Sequence, residues 1–120
     1  DEGNAALRHA LGLSLVRSSR SEEALDELRR AVELAPENPR FVYVLGIALN
    51  SLGLESDALQ VMREAQGRFD GDFDIAMVLA SMLRDSGDTE AALDIAYTLA
   101  RRHPESQEVV ALLRSLQAIP

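Results

Sequence analysis

Leu11-Gly12-Leu13-Ser14-Leu15 returns as Leu45-Gly46-Ile47-Ala48-Leu49 and again as Leu79-Ala80-Ser81-Met82-Leu83, each 34 residues after the last. The same step aligns Ala24, Ala58 and Ala92, then Ala31, Ala65 and Leu99, then Pro36, Asp70 and Pro104. A fixed period of this length marks a repeated supersecondary unit whose apolar face is buried by its neighbours. Three units result, 5–38, 39–72 and 73–106, which together take up 102 of the 120 residues.

Composition agrees with helices. The chain holds 19 Leu and 17 Ala against an aromatic share of 4%, and only four prolines interrupt it. Leucine and alanine are strong helix formers, so an aliphatic helical core is expected within a single domain over residues 1–120. Within each unit the order is helix, short turn, helix. The turns fall at Arg17-Ser18-Ser19-Arg20-Ser21, Leu52-Gly53-Leu54-Glu55 and Asp85-Ser86-Gly87-Asp88. Gly53 and Gly87 suit a left-handed residue ending a helix. Ser21, Asn38, Asp72, Asp88 or Thr89, and Ser106 are the expected N-caps. Arg29-Arg30 and Arg101-Arg102 are expected near the negative ends of second helices. Residues 107–118 predict one more helix, carrying Val109, Val110, Leu112, Leu113 and Leu116. It reads as a lid over the last unit, or as the first helix of a fourth unit. Residues 1–4 read as the tail of an earlier one, so the chain is expected to be a window onto a longer array.

The order of a Leu-Gly pair, a large apolar residue, small alanines and a closing proline resembles the tetratricopeptide repeat. Gly87-Asp88-Thr89-Glu90-Ala91-Ala92-Leu93 is especially similar to that family's turn into its second helix. Three positions depart from it. The usual first-helix aromatic is replaced by Arg8, Val42 and Ala76, the large second-helix residue runs Leu28, Met62 and then Ala96, and Asp70 replaces the closing proline of the second unit. The resemblance implies an all-α fold, a right-handed α-α superhelical solenoid of helix-turn-helix repeats. Small residues where paired helices cross fit this packing, and Gly12 is expected to face Ala24, Gly46 to face Ala58, and Ala80 to face Ala92.

The resemblance also implies that the first helices line a concave groove that binds protein segments. The groove positions would be His9, Leu13, Val16 and Arg17 in the first unit, with Ala6 beside them, Arg40, Tyr43, Ile47 and Asn50 in the second, and Asp74, Met77, Ser81 and Arg84 in the third. Their spacing of three to four residues puts each set on one helical face. Family members that clamp a C-terminal carboxylate use lysine and asparagine there. Here His9, Leu13, Ile47, Met77 and Ser81 stand instead, and all 12 basic residues are arginine. A docked helix or extended segment fits this face better, with Tyr43 as anchor and Arg17, Arg40 and Arg84 setting its register.

Other chemistries find little support. A net charge of −8 gives no overall basic face for phosphates, so no nucleic-acid partner is expected. No apolar run approaches the ~20 residues of a membrane span, so no membrane insertion is expected. The absence of cysteine leaves cytoplasm and periplasm equally open. The two histidines, His9 and His103, lie in different units without metal-ligand spacing, and no phosphate loop or nucleophile elbow occurs. Asp70-Gly71-Asp72-Phe73-Asp74 opens like a calcium loop, but Ile75 stands where glycine is needed and Ser81 where glutamate is needed. A turn with Asp72 as cap is the expectation. No catalytic residue, metal or cofactor is assigned. The expected function is a non-catalytic protein–protein interaction scaffold. The alternative is a structural or self-association module that packs on other domains of a longer parent, or pairs as a homodimer through the solenoid ends. More loosely, the chain resembles the repeat segment of larger bacterial proteins, including periplasmic multihaem cytochromes, although it carries no haem motif.

Overall fold

A computed structural model describes residues 2–120, with side chains from Gly3 onward. Seven helices fill it: α1 (Glu2–Arg17), α2 (Ser21–Leu34), α3 (Pro39–Ser51), α4 (Glu55–Arg68), α5 (Phe73–Asp85), α6 (Thr89–Arg102) and α7 (Gln107–Gln117). No strand occurs among the described residues. Residues 2–4, expected as the tail of a preceding unit, belong to α1, and Asp1 lies outside the described residues.

Local signals explain most helix ends. Asn38, Asp72 and Ser106 stand 34 residues apart and cap α3, α5 and α7. Their side chains accept from the backbone N–H of Arg40, Ile75 and Val109. Asp88 caps α6 by accepting from the Ala91 N–H. α2 differs. Its N-cap is Arg20, which makes no side-chain cap bond, and the expected cap Ser21 is already the first helical residue. Leu15 explains the shift, because its carbonyl accepts the Arg20 N–H at 2.9 Å and closes the α1 end one residue before Ser21. Gly53 and Gly87 have φ of +83° and +93°, as their turns require. The equivalent residue of the first turn is Ser19, which adopts φ of +60° without being glycine. Arg101 and Arg102 sit in the last turn of α6, whereas Arg29 and Arg30 fall short of the last turn of α2.

The chain forms two compact units, residues 1–65 and 66–120. In the first, α1 packs on α2 and α2 on α3. Ala5, Ala31, Ala35 and Phe41 form one buried cluster with Val32 against it. At both hairpin crossings a long side chain lies nearest the glycine, and at Gly12 the expected Ala24 is beside it. A Cβ placed on Gly12 would lie 2.7 Å from Cγ of Leu28, with the Ala24 carbonyl next at 3.2 Å. One on Gly46 would run into Met62, Cγ at 2.8 Å. Helical side chains lean toward the N-terminus, so Leu28 and Met62 cover the turn N-terminal to their own Cα atoms. Glycine makes room for them. Each is fully buried, worth about 1.5–3 kcal/mol of apolar burial.

In the second unit α5 packs on α6, α6 on α7, and α5 touches α7. Ala80 and Ala96 occupy the two crossing positions and are both fully buried. Ile75, Leu79, Leu83, Val109 and Leu116 complete this core.

Candidate functional site

The expected binding residues are built from the backbone outward, separately in each unit. In residues 1–65, His9 is half-buried on α1, and its ring stacks on Phe41 of α3 with centroids 4.7 Å apart. Its Nδ1 is buried with no hydrogen-bond partner. Burial, and secondarily the Arg40 guanidinium, pushes its pKa below the usual histidine value. The ring is a spacer between α1 and α3 as much as a groove residue. Arg40 is exposed and lies 5.5 Å over the Tyr43 ring, a cation–π pair at the start of α3. One turn on, Ile47 is 37% exposed, and Asn50 follows it into solvent. On α1, Leu13 and Val16 are half-buried, while the exposed Arg17 donates from Nε to the Leu13 carbonyl at 3.4 Å. The structure therefore gathers His9, Arg40 and Tyr43 into one group, with Ile47 and Asn50 continuing along α3. Arg8, standing where the family has an aromatic, donates from Nη1 to both carboxylate oxygens of Glu27 at 2.9 and 3.2 Å. That bond ties α1 to α2 by charge where ring packing would otherwise serve.

In residues 66–120, Asp74 is exposed and Met77 half-buried on α5. Ser81 turns its hydroxyl inward and donates to the Met77 carbonyl at 3.0 Å, which saturates its donor. Arg84 donates from Nη1 to Ser115 Oγ on α7 at 2.9 Å and from Nε to Asp85 at 3.1 Å. Two bonds fix this arginine at the end of α5. Sequence reasoning missed Ser115 and Asp85 as its supports. The period offered the clue for Ser115, which repeats Ser81 after 34 residues.

A separate open cavity of about 280 Å³ lies in this unit, lined by Asp70, Asp94, Thr98, Arg102 and His103 over Ala76 and Ile95. The period shows no sign of it. Asp72 caps α5 as expected for a turn, and no group of metal-binding side chains occurs among the described residues. His103 ends α6, donating its N–H to the Leu99 carbonyl at 2.7 Å and meeting Phe73 edge-on at 4.9 Å. No helix of the described residues is long and apolar enough to cross a membrane.

A family model for the tetratricopeptide repeat matches residues 9–73, more than half of the chain. The chain belongs to the tetratricopeptide repeat family. The seven helices of the described residues fit three tetratricopeptide repeats plus a capping helix. The first tetratricopeptide domain of Spaghetti (RPAP3), bound to the HSP90 peptide SRMEEVD, is similar with a TM-score of 0.84 and 16% identity, over 98% of this chain and 93% of that one. MamA from Desulfovibrio magneticus RS-1 is similar with a TM-score of 0.79 and 23% identity, over 92% of this chain. YrrB, described as a tetratricopeptide protein with an unusual peptide-binding site, reaches 0.78 with 22% identity, over 92% of this chain and 57% of its own. This chain spans about 62% of the length of the MamA structure. At these identities the likeness establishes the tetratricopeptide fold alone. A search of curated proteins returns no match.

Proposed function

We propose that the chain is a non-catalytic interaction module that binds a helical or extended segment of a protein partner on its first helices. The candidate residues within 1–65 are His9, Leu13, Val16, Arg17, Arg40, Tyr43, Ile47 and Asn50, and those within 66–120, taken by themselves, are Asp74, Met77, Ser81 and Arg84. One observation carries the proposal: Arg40 over Tyr43, followed by the exposed Ile47, sets a cation, an aromatic and an aliphatic side by side on α3. Tyrosine and arginine are the residue types that anchor protein interfaces, because each joins large area to a polar tip. The ligand class is supported by the HSP90 peptide bound to the Spaghetti domain and by the peptide-binding site ascribed to YrrB. The mixture of aliphatic and arginine side chains, with no lysine, favours a segment with apolar anchors and scattered carboxylates over a clamped C-terminus.

The test is selection of peptides from a random display library on the wild-type chain, followed by titration. Selected peptides should lose tenfold or more in affinity on Tyr43→Ala, about 1.4 kcal/mol, and less on Asn50→Ala. Equal binding to wild type and Tyr43→Ala, with the fold intact by circular dichroism, would overturn the assignment.

A further inference from the structure

The cavity of residues 66–120 shares no residue with the proposed binding face, and it lies within one compact unit. Its floor is open because a side chain there is small. Ala76 stands one period after Val42 and two after Arg8, so the third repeat has the least bulk at that position. Ala76 and Leu99 are buried and Ile95 half-buried, which makes the floor aliphatic. At one edge Gly71 turns the chain with φ of +90°, and Nη1 of Arg102 lies 3.8 Å from the place of its missing Cβ. Arg102 thus reaches from the end of α6 over the turn before α5.

The charges around this floor have an order. Asp94, Thr98 and Arg102 follow at four-residue steps on α6 and so share one face. Eight residues of helix set the Cα atoms of Asp94 and Arg102 about 12 Å apart, so these charges are separated along the axis. Asp70 adds a second carboxylate beside Gly71, at the Arg102 end. Two other polar lining residues are engaged elsewhere: Asp72 caps α5, and His103 meets the Phe73 ring. Among the described residues, no hydrogen bond or ion pair occupies the side chains of Asp70, Asp94 or Arg102. A guanidinium and a carboxylate at one end, and a carboxylate at the other, are open to a ligand.

A ligand seated here shields these groups from water, and each charge it leaves unanswered costs affinity. The matching molecule carries an anion and a cation close together, a second cation at a distance, and an apolar stem between them. It must also be small. The cavity volume of about 280 Å³ falls just below the ~300 Å³ at which pockets for drug-sized ligands begin. We propose that this cavity binds a free basic amino acid, arginine or lysine. The α-carboxylate meets Arg102, the α-ammonium meets Asp70, the methylene stem lies on Ile95 and Leu99, and the side-chain cation meets Asp94.

Isothermal titration calorimetry on the intact chain tests this, in low salt where such contacts are screened least. Arginine and lysine should bind saturably. Agmatine, which is arginine without its carboxylate, and norleucine, which is lysine without its side-chain ammonium, should each bind about tenfold or more weakly. Asp94 and Arg102 are exposed, so their variants should keep the wild-type circular dichroism. Arg102→Gln should weaken arginine and leave agmatine no weaker, because agmatine has no anion for the guanidinium. Asp94→Asn should weaken arginine and agmatine alike and leave norleucine unchanged. Absence of saturable binding by arginine and lysine, agmatine binding as tightly as arginine, or equal losses of both in Arg102→Gln would each overturn the proposal. Nα-acetyl-arginine amide stands for an arginine within a protein chain. Binding of that probe as tight as arginine's would also overturn it, by giving the cavity to a partner's side chain.

Discussion

The helix crossings of residues 1–65 and the crossing of residues 66–120 occupy the same repeat positions with different chemistry. In the first unit glycine on the first helix faces a long side chain on the second, Gly12 to Leu28 and Gly46 to Met62. In the second unit both positions hold alanine, Ala80 and Ala96, and both are fully buried. The constraint acts on the pair, because the crossing is close-packed and each residue is sized by the one across from it. Ala96 thus departs from the pattern of large residues together with the change of glycine to Ala80.

The largest test converts the first crossing into the second. Leu28→Ala alone should cost about 2–5 kcal/mol by opening a cavity. Gly12→Ala alone should cost about 1–3 kcal/mol, since its new Cβ meets Leu28. The double variant should cost less than the sum, with a coupling of about 0.5–3 kcal/mol in urea denaturation. Strict additivity would break the comparison.

The caps sharpen it at smaller scale. Asn38→Ala in the first unit and Asp72→Ala in the second should each lose about 1 kcal/mol, read as a lower denaturation midpoint. Both caps precede a first helix at the same repeat position, so similar losses are expected despite the difference in charge.

A gain is expected from Ser19→Gly. Ser19 holds a left-handed backbone that Gly53 and Gly87 adopt at little steric cost, so the substitution should raise stability by up to about 1 kcal/mol. A loss would mean that the Ser19 side chain contributes more than its backbone costs.

The smallest effect concerns pH and falls in the first unit. His9 has a folded pKa below the usual histidine value, from burial first and Arg40 second. In mild acid the unfolded chain therefore binds more protons than the folded one. Its contribution to stability is full above the ordinary histidine pKa, is lost as pH falls through that value, and levels off below the folded pKa. Denaturation midpoints of wild type and His9→Gln, measured between pH 7.5 and 5, should diverge in that direction. Parallel pH profiles would show that the ring stacked on Phe41 titrates normally.

Much of the fold was legible because periodicity and caps are local. The 34-residue step, the glycines at the two later turns, and Asn38, Asp72, Asp88 and Ser106 each act within a few residues of themselves. The Arg20 cap was not legible, because a backbone bond from Arg20 to Leu15 decided it where side-chain preference pointed to Ser21. The candidate site was legible only as helix faces. That His9 stacks on Phe41, that Arg84 is held by Ser115, and that a cavity opens beside Arg102 depend on neighbours distant in the chain.

By itself, then, the sequence determined the class, the period, the helix order and the tetratricopeptide family, since these follow from spacing and backbone preference along one chain. Only the tertiary structure decided which residue faces which. It put Leu28 and Met62 across from glycine, buried His9 Nδ1 without a partner, and left Leu7 and Leu11 in solvent while their equivalents Phe41 and Leu45 are buried. The reason is physical: a repeat fixes where a side chain leaves its helix, but its burial depends on which helix lies beside it.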